Sequence, residues 1–333
     1  MTDAQFDVTG IGNAIVDVIA SADDAFLTDQ GIAKGGMTLI DADRATSLYD
    51  AMGPGREISG GSAANTIVGI ASLGGKAAYI GKVRNDELGK IFAHDIRAAG
   101  VTYTTDPLAD GPPSARCLIL VTPDAQRSMN TFLGASSLLS PDDVDEGLIA
   151  KAQVTYLEGY LFDQPPAKEA YFKAAGLAHG QDRLVALTLS DAFCVDRHRD
   201  DFKALVAREV DILFANEAEI TSLYEVDSFD DALARVREDC AIAALTRSEQ
   251  GSVIVKGDEI HTVPADPVSK VVDTTGAGDL YAAGFLFGYT RGRSLSECGR
   301  LGSLAAAEII SHYGPRPETS LQSLAKEKGL AVG

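Results

Sequence analysis

The chain has 333 residues, 45% of them hydrophobic, enough for one large α/β domain or two smaller ones around a sizeable core. Its 29 basic and 48 acidic residues leave a net charge of −19, which repels nucleic acid and anionic membranes and argues against a polyanionic partner. The four cysteines, Cys117, Cys194, Cys240 and Cys298, are far apart and form no CxxC pair, so neither a zinc site nor a disulfide framework is expected, and a reducing cytoplasm fits best. In chain order, the acidic start "MTDAQFDVTG" lacks the apolar core of a signal peptide, and no uninterrupted apolar run approaches the length of a membrane span. "FDVTGIG" then reads as a first strand. The stretch Ala14–Ile40 follows, with strand-like "AIVDVIASA" and "GGMTLI". A helix is predicted over Asn65–Leu73, a strand at "AAYIGKV" and a helix over Leu88–Ala99.

The stretch Val101–Leu133 breaks this rhythm. "VTYTT" and the turn "DGPPSA" lead into "RCLILVT", "PDAQ" and "SMNTFL", which read as a β-hairpin. Beyond it, strands at "VTYLEGY", "LVALTLS", "VDILFAN", "AIAALTR" and "GSVIVKG" alternate with helical segments such as Lys168–Ala178 and Asp230–Asp239. Such alternation predicts a mostly parallel sheet covered by helices on both faces. Residues 14–40 and 101–133 together predict a small separate sheet, the shape of a lid hinged on one domain spanning residues 1–333.

Three glycine-bearing or capped turns carry the chemistry. In "DTTGAGD", Asp273 to Asp279, the preceding "SKVV" reads as a strand end and the following "LYAAGFLFGYT" as a buried helix. Backbone N–H groups of Gly276, Ala277 and Gly278, with the positive end of the helix dipole, would make an anion site free of basic side chains. Asp279 has two readings: an acid complementing the dipole by about 0.3–1 kcal/mol, or a general base beside an oxyanion cradle. The first leaves the glycines unexplained. "GGSAANT", Gly60 to Thr66, reads either as a loop with Ser62 as helix N-cap or as a backbone turn brought close to a polyhydroxyl ligand, with Asn65 donating and accepting. In "FANEAEI", Asn216 and Glu219 have capping-box spacing; the alternative is that Glu219 holds Mg²⁺ through water beside nucleotide phosphates. Two familiar nucleotide motifs fail. Gly69 and Gly74 have P-loop spacing, but Gly75 and Ala77 stand where Lys and Ser or Thr are needed, and Gly10 and Gly12 are followed by Ile15. The five histidines form no HExxH.

"GNAIVD", "GGSAANT", "FANEAEI" and "DTTGAGD" in this order resemble the ribokinase (PfkB) superfamily of carbohydrate and nucleoside kinases over nearly the whole chain. The resemblance implies a three-layer α/β/α fold with a mostly parallel sheet and a small β-sheet lid, and ATP-dependent phosphorylation of a primary hydroxyl. It makes Asp279 the base, Gly276, Ala277 and Gly278 the anion hole, and Asn216 with Glu219 the pair that organises Mg²⁺ and phosphate. It also makes Asp17, with Asn13 beside it, the group that binds ribose hydroxyls, alongside Gly60, Gly61, Ser62 and Asn65.

"GGSAANT" and "RSMNTFL" are nearest to the adenosine-kinase branch, which implies that Arg127 meets phosphate and that Phe132, Tyr160 and Leu161 line a nucleobase slot; core packing is the competing reading for each of those three. The chain departs from the family at Thr246-Arg247-Ser248, where a TxG turn is common and the glycine here is Gly251, so Thr246 and Gly251 are weaker ATP positions. Thr275 and Asp273 are the positions that would offer oxygens to K⁺. His312 and Arg316, in "HYGPRP", have no assigned role. The implied partner is a nucleoside, adenosine foremost, or a sugar such as ribose or fructose. A catalytically silent nucleoside-binding protein is the reading of another class, and both monomer and homodimer stay open.

Overall fold

The computed structural model describes residues 4–124 and 126–330. Among these, fourteen strands form two sheets. The larger contains β1 (Phe6–Ile11), β5 (Ala77–Ile80), β6 (Thr102–Tyr103), β9 (Ala152–Glu158), β10 (Leu184–Thr188), β11 (Ile212–Asn216), β12 (Ile242–Thr246), β13 (Ser252–Lys256) and β14 (Glu259–Val263). Its order is β14-β13-β12-β11-β10-β9-β1-β5-β6. The seven strands from β12 to β6 pair in parallel, and β13 and β14 add an antiparallel edge. β10, β11 and β12 are near-continuous apolar runs because both faces are covered. Alternate residues feed opposite layers: Val154 and Tyr156 join one core with Ile67, Leu280 and Leu304, while Leu157 joins the other with Tyr171, Phe202 and Val236.

The smaller sheet contains β2 (Ile15–Ser21), β3 (Met37–Leu39), β4 (Arg56–Gly60), β7 (Ala115–Val121) and β8 (Arg127–Phe132), in the order β3-β8-β7-β2-β4. β7 and β8 form the expected hairpin; Ala125, in the "PDAQ" turn, lies outside the described residues. Two strands depart from expectation. "VTYTT" does not join this sheet. Its β6 extends the large one beyond β5, because Tyr103 is buried against Tyr79 and Phe92 and its hydroxyl donates to the Gly81 carbonyl at 2.8 Å. Conversely β4, outside both expected segments, supplies an edge by pairing antiparallel with β2.

"SKVV" is not a strand. Residues 264–276 have no regular structure, and Pro264 and Pro267 remove two of the donors a ladder would need. The segment is instead moored by the Val272 amide on the Ile310 carbonyl at 2.8 Å. It delivers the chain to the helix Ala277–Tyr289, which packs against the helix Ser62–Ser72. A Cβ on Gly69 would come within 2.7 Å of Ala283 and Leu280, so the glycine sets how closely these two helices approach.

Candidate active site

The functional side chains gather at the carboxyl ends of the parallel strands, around the β9/β1 boundary where the strand order reverses, the usual ligand crevice of an open α/β sheet. Asn13 follows β1, Glu158 closes β9, Asn216 closes β11 and Thr246 closes β12. The smaller sheet adds Asp17 from β2, Gly60 from β4 and Arg127 from β8.

Two helix starts meet here. Gly61 caps the helix Ser62–Ser72 with φ 99°, and Gly276 caps Ala277–Tyr289 with φ 80°; neither end has a side-chain cap. These positive φ values suit glycine, and they leave first-turn amides pointing outward. Ser62 is therefore not the N-cap. Its hydroxyl donates to Asp279 Oδ1 at 2.6 Å, while Asn65 Nδ2 donates to Oδ2 at 2.9 Å. Burial raises the Asp279 carboxyl above its ordinary range, and those two donors and the charge of Arg316 pull it partly back. Asn65 Oδ1 is buried without a partner among the described residues, an acceptor left for a ligand. At the cradle, the Ala277 amide already donates to the Thr274 carbonyl at 3.2 Å, so Ala277 is not a free anion donor. The first-turn amides of Gly278 and Asp279 are the ones that helix geometry leaves unspent. A Cβ on Gly278 would meet no atom within 4 Å, so that side faces open space.

Asp17 is buried, with its carboxyl pushed up to about 7 by burial and the nearby Asp279, against the lowering charges of Arg316 and Arg127. Gly60 lacks a side chain for its sake: a Cβ there would sit 2.3 Å from Asp17 Oδ2, and one on Gly61 would sit 2.1 Å from the Asn13 carbonyl. The glycine pair thus makes room for the protein's own groups. Asn13 is spent inside the fold. Its backbone amide and Nδ2 donate to Glu158 Oε1 at 2.8 and 2.7 Å, and its Oδ1 accepts from Ser136. Glu158, which the sequence reading passed over, is fully buried and also accepts from the Ala63 amide at 2.7 Å. Burial lifts it to about 7 in spite of those donors. It ties the β1–β2 junction to the start of the Ser62–Ser72 helix.

Arg127 Nη1 contacts both Asp273 Oδ2 and Thr275 Oγ1, and its Nε and Nη2 are buried without partners among the described residues. Burial alone would raise Asp273; Arg127 and the Thr275 and Gly314 amides hold it below the usual carboxylate range. The side chains of Asp273 and Thr275 therefore do not fit as K⁺ ligands, since a guanidinium already occupies them. Asn216 and Glu219 form a complete capping box, with donations from Asn216 N and Nδ2 to Glu219 at 2.9 and 2.6 Å. Burial, with the negative charges of Asp191 and Asp279, lifts Glu219 to about 7. No cluster of three ligating side chains among the described residues could hold a metal alone. Glu219 is an oxygen donor of the kind that would hold Mg²⁺ through water, the other ligands being supplied by a bound phosphate.

A groove of about 470 Å³ runs beside this box, lined by Asn216, Glu217, Thr246, Arg247 and neighbouring residues. Gly251 serves the turn after β12, since a Cβ there would lie 2.0 Å from the Val263 carbonyl. Leu161 is buried in the core; Tyr160 is held by Ser190, its hydroxyl donating to that carbonyl at 3.2 Å; Phe132 is half-buried at the end of β8.

Arg316 was also missed as a site residue. Its guanidinium donates to the Ser59 carbonyl at 2.9 Å, the Ala64 carbonyl at 2.7 Å and Ser59 Oγ at 3.2 Å. Burial pulls it down to about 10, so it stays charged at neutral pH. No local pattern in "HYGPRP" announces a contact with residues more than 250 positions away.

The family model for pfkB family carbohydrate kinases matches residues 30–321. A structure of adenosine kinase from Sinorhizobium meliloti is 57% identical, with a TM-score of 0.92 over 98% of this chain and 100% of that one. A probable sugar kinase from Rhizobium etli is 56% identical, with a TM-score of 0.93 over the same shares. An uncharacterized sugar kinase from Archaeoglobus fulgidus is 32% identical over 255 residues, 75% of this chain and 97% of that one. The fold is ribokinase-like, and the chain belongs to the PfkB family of carbohydrate kinases, phosphotransferases that act on a hydroxyl group.

Proposed function

We propose that this chain transfers the γ-phosphoryl group of ATP to the 5′-hydroxyl of adenosine, a purine-salvage reaction carried out in the cytoplasm. What carries the reading is the 57% identity, over 98% of the chain, with a protein named adenosine kinase, joined to a site whose acid–base parts suit a hydroxyl acceptor. In this reading Asp17 and Asn65 Oδ1 accept from ribose hydroxyls, both being acceptors without a protein donor among the described residues. Asp279 takes the 5′-hydroxyl proton. The amides of Gly278 and Asp279, with Arg127, share the charge that develops on the phosphoryl group. ATP lies along the groove between Asn216 and Thr246. Glu219 would hold Mg²⁺ through water, and the ion, when bound, would neutralise charge on the phosphates. The smaller sheet carries Asp17 and Arg127, so its closure would assemble the site and exclude water.

A sugar kinase is the second reading, favoured by the name of the 56% identical Rhizobium etli protein. ADP release measured with adenosine, other nucleosides, ribose, fructose and related sugars separates the two. Adenosine is expected to give the highest kcat/KM. A sugar preferred over every nucleoside overturns the first reading.

A further inference from the structure

Arg316 sits where three pieces of the site join. Ser59 belongs to the smaller sheet, Ala64 to the first turn of the Ser62–Ser72 helix, and Arg316 to the segment after the last long helix, Leu295–Ile309. Its three hydrogen bonds bracket the turn Gly60-Gly61-Ser62 on both sides. That turn is what lays Gly60 against the Asp17 carboxylate and aims Ser62 and Asn65 at Asp279. The planar fork suits the task, because it can reach acceptors on the strand and on the helix at once, which a single ammonium cannot. The same guanidinium lies in the field of Asp17 and Asp279 without contacting either as an ion pair.

We propose that Arg316 is a positioning residue for phosphoryl transfer: it fixes the turn that orients Ser62 and Asn65, and it is the positive charge shared by Asp17 and Asp279. This rests on the kinase reading above. The charged and titratable groups facing Arg316 are Asp17 from β2, Asp279 from its helix, Tyr79 from β5 and Asp95 from the helix Glu87–Ala98. Asp279 also shares its surroundings with Glu158, Tyr156, Tyr160 and Glu219, and Asp17 with Arg127. Arg316 lowers both aspartates, so its removal leaves a buried pair of like charges to repel each other.

The test uses the full chain as wild type, Arg316→Gln and Arg316→Lys, with circular dichroism to establish folding. The first measurement is kcat/KM for adenosine from pH 5 to 9. The second, free of turnover, is a ¹³C-carboxyl titration of labelled aspartates in the ligand-free protein, with Asp17→Asn and Asp279→Asn giving the assignments. Arg316→Gln is expected to move the acid limb and both carboxyl titrations upward by about one pH unit, making the loss about tenfold larger at pH 6 than at pH 8. Arg316→Lys is expected to keep the limb near wild type while kcat falls about tenfold, because one point charge cannot hold the turn. Gln and Lys variants that behave alike, or aspartate titrations unmoved in folded Arg316→Gln, overturn the proposal. If Arg316→Gln does not fold, Arg316→Lys decides: full wild-type kcat overturns it. A wild-type chain inactive on every acceptor overturns the kinase reading, and the titration still decides the role of Arg316.

Discussion

Asp279 has both carboxylate oxygens occupied by protein donors, yet burial still holds it above the ordinary aspartate range. In the role of base proposed above, this carboxyl is oriented in advance, and its proton affinity is a balance of burial, two donors and one nearby charge. Asp279→Asn keeps the shape and removes the base; kcat should fall about 10²- to 10⁴-fold with KM within a few-fold, read by steady-state ADP release. Ser62→Ala removes a donor that lowers Asp279. The carboxyl then rises further, so the acid limb of kcat/KM should move to higher pH, with roughly fivefold more loss at pH 6 than at pH 8. An unshifted limb would show that the Ser62 bond does not govern the base.

The helix starts at Gly61 and Gly276 share two features: each needs a backbone few side chains tolerate, and neither has a side-chain cap. Gly61→Ala forces a positive φ and a Cβ onto the Asn13 carbonyl, and should cost roughly 2–4 kcal/mol in urea unfolding together with most of the activity. Asn216→Ala breaks the capping box and should cost about 1 kcal/mol in the same measurement. The helices and parallel strands could be read from the chain because they depend on local periodicity and covered faces. So could the order of the glycine turns, whose backbone needs are written in consecutive residues. What stayed hidden depends on distant partners. "SKVV" has a strand's composition but no neighbour to pair with. β4 is an edge strand with a mostly polar sequence. Glu158 and Arg316 look ordinary until the fold brings Asn13 and Ser59 to them.

Across the molecule, the site concentrates acids: Asp17, Glu158 and Glu219 are each lifted to about 7, against about 4 in an unfolded chain. A carboxyl whose folded pKa is raised contributes stability that is complete below its unfolded pKa and is lost as pH rises through the folded value. The ligand-free protein should therefore melt at a lower temperature at pH 8 than at pH 5.5, the loss accruing between about pH 4 and about pH 7 and levelling off above that; a flat thermal profile between pH 5.5 and pH 8 would contradict the burial of these groups. The long reach of the Asp279 bonds has a consequence for biosynthesis. Ser62 and Asn65 leave the ribosome 217 and 214 residues ahead of Asp279. At roughly 5–20 residues per second, that is an interval on the order of tens of seconds. During it the helix Ser62–Ser72 lacks the helix Ala277–Tyr289 against which it packs, and Ser62 and Asn65 lack the carboxylate they will orient.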